Sequence, residues 1–292
     1  MALLLTLLPI LAQIGPYSPA ATGTAPVVPH IEGRDTPRQK TPSLAAPLPP
    51  PRVDSKGQSC LDLANTAPSE AIAMASEWVT TARGDDLAEA QSCLGMAYGR
   101  RDEWSDAETA FLAARDASGA DRTARASYGA MAGNAALAGG HADRALNALT
   151  NARTDAEAMH DTAGAAQIAL DQARALVALH REGEARTAID QALATLPGES
   201  DGWLLSATLY RRGGKLDLAQ QHIEKASAIN PRDPAIGLEA GVIAELGGRE
   251  PAARRSWQSV IAMAPDSSEA TQAKNYLQQI GPEAQPPAKS HP

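Results

Sequence analysis

Six histidines, two cysteines and 34 acidic side chains are the groups in this chain best suited to hold a metal or move a proton, and their spacing gives them little to do. His30, His141, His160, His180, His222 and His291 show no paired spacing with cysteine or carboxylates of the kind a metal site needs, so neither a metal nor any other cofactor is expected. Gly139-Gly140 and Gly213-Gly214 are not followed by the Lys-Ser or Lys-Thr pair of a phosphate-binding loop, and they read as turns. The acidic pairs Asp85-Asp86 and Glu182/Glu184 fall near helix ends, as solvated faces do. No serine sits in a strand-turn-helix elbow, and no strand is expected that would build one. With no catalytic constellation left, a non-enzymatic role is expected. Cys60 and Cys93, 33 residues apart, are the redox-capable pair. They form a disulfide if the fold brings them together in an oxidising compartment; two unrelated buried thiols are the alternative.

The elements that position these groups follow from a repeat. Alanine stands at 107, 145, 185, 219 and 253, each followed four residues later by a large apolar residue: Phe111, Leu149, Ile189, Ile223 and Trp257. With each alanine at position 20 of a unit of about 34 residues, units start at 88, 126, 166, 200 and 234. Position 8 is small in every unit (Gly95, Gly133, Ala173, Ala207, Gly241), and position 27 is nearly so (Ala114, Ala152, Ala192, Ala226, Val260). Small residues at 8 and 20 let two antiparallel helices approach, and the bulky residue at 24 fills the space one turn away. Turns between the halves come from Gly139-Gly140, Gly213-Gly214 and Gly247-Gly248, with His180 in the equivalent place in the third unit. Pro197, Pro231 and Pro265 close the last three units.

This pattern resembles the tetratricopeptide repeat family over about residues 88–267. The fourth unit matches best, with Trp203, Ala207, Tyr210, Ala219, Ile223, Ala226 and Pro231 at the motif's positions 4, 8, 11, 20, 24, 27 and 32; Leu94, Gly95, Tyr98, Ala107, Phe111 and Ala114 make the first nearly as good. The middle units depart: Gln172 stands where leucine is usual at position 7, and Ala136 replaces the aromatic at position 11. The fold class implied is all-α, an α-α superhelix of about five helix-turn-helix repeats with a degenerate N-terminal unit and a C-terminal capping helix. The array is expected over 88–280, its cap at 268–280 starting at Ser267 or Ser268 with Ala270, Ala273, Tyr276, Leu277 and Ile280 on the apolar side. The degenerate unit is expected over 57–87, with a short helix from Ser59 to Ala64 and a second from Pro68 to about Ala82. In that frame Cys60 and Cys93 take equivalent positions on first helices of adjacent units, which pack side by side, and this is the case for the bridge.

Outside the array, residues 2–12 form an apolar stretch of signal-peptide length, with small residues suiting cleavage after Ala12 or Ala20 and no Lys or Arg before the apolar core. A signal segment at 1–20 and an exported, periplasmic location are expected; membrane contact would come only through that signal if it stays uncleaved. Eleven of the 21 prolines fall in the first 51 residues, and 16–56 is expected to be a disordered Pro-rich linker, with a disordered tail at 281–292. A net charge of −8 with scattered basic residues argues against a nucleic-acid partner.

The resemblance implies a protein or peptide partner, held in a concave groove lined by first helices at positions 2, 5, 9, 12 and 13. Those positions give Asn134, Leu170, Arg174, Leu204, Thr208 and Arg211, with Arg212 beside them, a mixed groove with a local excess of positive charge. The family's carboxylate clamp is not reproduced, since Ser92, Met96, Met131, Gln167 and Asp171 occupy its positions. The function expected is a non-enzymatic protein-interaction scaffold of a bacterial cell envelope. A homo-oligomeric spacer module in a larger envelope assembly is the alternative.

Overall fold

A computed structural model describes residues 54–281, and the expected signal segment, the linker up to residue 53 and the tail from 282 lie outside the described residues. Thirteen helices and no strand make up the described residues: α1 Ser55–Thr66, α2 Pro68–Thr81, α3 Gly84–Gly99, α4 Trp104–Ala117, α5 Arg122–Ala138, α6 Ala142–Ala158 and α7 Thr162–Ala178. They continue with α8 Glu182–Thr195, α9 Ser200–Arg212, α10 Leu216–Ile229, α11 Pro234–Leu246, α12 Glu250–Met263 and α13 Ser268–Gln279. From α1 to α12 the helices form six consecutive pairs, and α13 closes the series, giving the all-α repeat superhelix that the resemblance implies.

Local chemistry explains where several of the elements start and stop. Asp54, Asp121, Asp161, Asp233 and Ser267 cap α1, α5, α7, α11 and α13, each side chain accepting from backbone N–H groups of the first turn. Pro68 and Pro234 begin α2 and α11, where a missing N–H costs nothing. The turn inside each of the five units from residue 88 onward ends its first helix with one residue at positive φ: Asp102, Gly140, His180, Gly214 and Gly248, all at position 15. The next N–H then closes onto the carbonyl five residues back, as His141 does on Ala136 at 2.8 Å, Arg181 on Leu176 at 2.8 Å, and Lys215 on Tyr210 at 2.8 Å. The first helix, α1, is longer than the Ser59–Ala64 segment expected, because the Asp54 carboxylate holds Lys56 N at 2.8 Å and Gly57 N at 2.7 Å and so starts it at Ser55.

The core is built in series. Every position-20 alanine is 0% exposed, and Leu149, Ile189, Ile223 and Trp257 beside them are at most 1% exposed. One cluster joins α5 and α6 to α7 through Ile168 and Ala175, the next joins α7 and α8 to α9 through Leu209, and a third joins α9 and α10 to α11 through Ile236 and Ile243. Ala270 and Ala273 of α13 close the last cluster against Leu238, Trp257 and Val260. Each unit thus lends its neighbour the apolar wall it lacks alone.

Candidate functional site

The expected groove residues divide by burial. Asn134 is exposed, while Arg174 and Thr208 are half-buried. Leu170 at 0% exposed and Leu204 at 8% are core residues, and they offer a ligand almost no surface. Position 5 of these first helices therefore faces the packing, not the groove. Arg211 is 8% exposed and lies against Glu239 of α11, its Nε 3.2 Å from the carboxylate.

What the sequence reading missed is the set of carboxylates that meet these side chains. Asn134 Nδ2 of α5 donates to Asp171 of α7 at 3.2 Å. Arg174, one turn along α7, donates to the same carboxylate and reaches Asp201 of α9 at 3.5 Å. The result is a polar ladder crossing three successive units: Asn134, Asp171, Arg174, Asp201. Arg212 of α9 pairs with Glu182 of α8 at 3.2 Å. Arg174, Arg211 and Arg212 thus each lie against an acidic side chain. Asp171 and Glu239 both stand at position 6 of their first helices, and they meet Asn134 and Arg211, at positions 9 and 12 of the preceding first helix.

Burial sets the electrostatics of this face. Asp171 has its pKa raised, first by burial, with Arg174 and Asn134 opposing. Glu239 is fully buried and its pKa is raised well above the usual carboxylate range by the same cause, which the neighbouring Arg211 guanidinium only partly offsets. Arrangements like these hold side chains in place and present hydrogen-bonding groups. Among the described residues no group of three or more His, Cys, Asp or Glu could hold a metal ion, and no helix is long and apolar enough to cross a membrane.

At the N-terminal end, Cys60 of α1 and Cys93 of α3 form a disulfide with their Cα atoms 5.9 Å apart. Polar bonds hold the same junction: Arg100 donates to Asn65 at 2.6 Å, Arg101 to Ser69 at 2.6 Å, and Trp78 Nε1 to Asp86 at 2.9 Å. Lys56 lies over the Trp78 ring, 4.0 Å from its centroid.

No protein-family model matches the sequence, and no curated protein matches it. Solved structures do share the architecture. PilW, described as a widely conserved type IV pilus biogenesis factor, superposes with a TM-score of 0.59 at 15% identity, covering 76% of this chain and 100% of that one. The Pseudomonas aeruginosa protein pilF gives 0.57 at 12% identity over 76% of this chain and 97% of its own. TTC0263, a thermophilic TPR protein of Thermus thermophilus, gives 0.54 at 18% identity over 65% and 99%.

Proposed function

We propose that this chain, which has the tetratricopeptide-repeat fold, is a non-enzymatic scaffold of the bacterial cell envelope that binds a protein through a peptide segment laid along the first helices. The observation that carries the proposal is the ladder Asn134–Asp171–Arg174–Asp201, which ties α5, α7 and α9 together. Groups held in place by each other lose little entropy when a ligand arrives, so more of the contact energy is left for binding. Asn134 is exposed and half of its amide is held by Asp171, which suits it to bond a peptide backbone. Because Arg174 and Arg212 already have acidic partners, the favoured ligand is a neutral extended segment, not a bare carboxylate terminus.

Export is supported by the Cys60–Cys93 bridge, since such bonds persist in oxidising compartments, and by the signal-like start of the sequence. The test is a crosslinked pull-down from the envelope fraction with wild type, Asn134→Ala and Arg174→Ala. A partner recovered with wild type and weakened about tenfold (~1.4 kcal/mol) in both variants is expected. Equal recovery with all three would overturn the groove assignment.

A further inference from the structure

Position 9 of the five first helices from α3 to α11 holds Met96, Asn134, Arg174, Thr208 and Val242. Asn134 is the only one of these that stands exposed. It is also the only one whose polar end can face a neighbour in two ways. Arg174 can only donate, and Thr208 gives its hydroxyl proton to Leu204 O at 3.0 Å. A primary amide carries two N–H groups at one corner and a carbonyl oxygen at the other, so what it shows a ligand depends on which corner the protein takes.

The next unit makes that choice. Asp171 of α7 is 8% exposed, and both of its oxygens are engaged: Oδ1 accepts from Arg174 Nη1, and Oδ2 accepts from Asn134 Nδ2 at 3.2 Å. Asp201 of α9 holds the other end of the Arg174 guanidinium at 3.5 Å. A carboxylate held between two donors only accepts, so Asn134 turns its NH2 corner to Asp171 and its carbonyl oxygen away from it. The opposite orientation would set Asn134 Oδ1 against Asp171 Oδ2, two acceptors with no proton between them, and leave a buried carboxylate oxygen without a donor.

On the proposed reading of the first helices as the peptide-binding face, we infer that Asp171 is a positioning residue that fixes Asn134 Oδ1 toward the ligand. The bound segment must then present a backbone N–H at this point and cannot carry proline there. In an extended segment the N–H and C=O of one residue point to the same edge; the N–H bonds to Asn134 Oδ1, and the C=O can take the second Nδ2 proton. Proline has no N–H to offer, and an N-methylated residue lacks it too. Asp171→Asn reverses the arrangement while keeping the shape. Arg174 still requires an acceptor and keeps the oxygen of the new amide, so the new NH2 group faces Asn134 and draws its Oδ1 inward. Asn134 is then left with only donors for the ligand.

The test has two arms. In the first, NMR of the full chain reads the side-chain amide of Asn134, identified by its loss in Asn134→Ala. One of its two protons is expected downfield of the other asparagine amides and slow to exchange, and Asp171→Asn is expected to abolish both features. In the second, wild type selects binders from a display library of random ten-residue peptides, and a selected peptide is resynthesised with each backbone N–H methylated in turn. Methylation at one position is expected to weaken binding to wild type at least about tenfold and to Asp171→Asn no more than about twofold, with proline excluded from the same position. Should circular dichroism show that Asp171→Asn does not fold, Asn134→Ala replaces it in the second arm and the wild-type spectrum decides the first. Peptides that bind Asn134→Ala as tightly as wild type would remove the groove reading and this inference with it. Peptides that depend on Asn134 yet tolerate methylation and proline at every position, or an Asn134 amide with neither proton shifted, would overturn the inference and leave the groove reading standing.

Discussion

At the level of single residues, the size of position 8 answers the size of position 24. Where the partner is Phe111, Leu149 or Trp257, position 8 is glycine, and where it is Ile189 or Ile223 an alanine is accommodated. A Cβ on Gly241 would run into the Trp257 indole at Nε1, and one on Gly133 would lie 2.5 Å from Leu149 Cγ. Gly241→Ala is therefore expected to cost about 1–3 kcal/mol by overpacking a buried indole. Gly183 in α8 meets nothing within 4 Å at its Cβ position, so Gly183→Ala is expected to stabilise by about 0.5 kcal/mol through the unfolded chain. Calorimetric midpoints of the two variants check the pair, and a similar sign for both would contradict the packing account. Glu239 gives a pH signature. From the ordinary carboxylate pKa of 4.5 up to its own raised value, the folded state keeps a proton that the unfolded chain has released. Stability from this group is full below that window and falls as pH rises through it. Glu239→Gln removes the titration, so the wild-type and variant curves of midpoint against pH should diverge across the window; parallel curves would contradict a raised pKa.

At the level of helices, what was legible in the sequence was what repeats. The alanine at 20 with its partner at 24, the glycine pairs and the closing prolines located the pairs and turns because each is a local backbone or packing requirement that recurs. Pro68 marked the start of α2, and Ser267 the cap of α13. Asp102 escaped notice as the fifth position-15 turn residue because no glycine marks it, although its φ of 59° matches the others. The groove was less legible. Leu170 and Leu204 went inside because position 5 meets a neighbouring unit, and Arg211 turned to a carboxylate 28 residues away, a pairing with no local signal. The bridge between α1 and α3 closes a loop of 33 residues, which in the chain-entropy model stabilises by about 3–4 kcal/mol. Reduction is expected to raise amide exchange across α1 and α2 while α5 to α12 keep their protection, because coupling runs mainly between neighbours. Uniform loss of protection along the array would contradict it.

For the molecule as a whole, a core laid down in series leaves long faces that no tertiary contact consumes. First helices carry the polar ladder. The most direct test is a photo-crosslinking amino acid placed at Asn134, with the exposed Leu112 of α4 as control, in cells expressing the protein. A groove-binding scaffold gives a discrete adduct with an envelope protein from position 134 and none from 112. No adduct at 134, or the same adducts from both positions, would contradict that role.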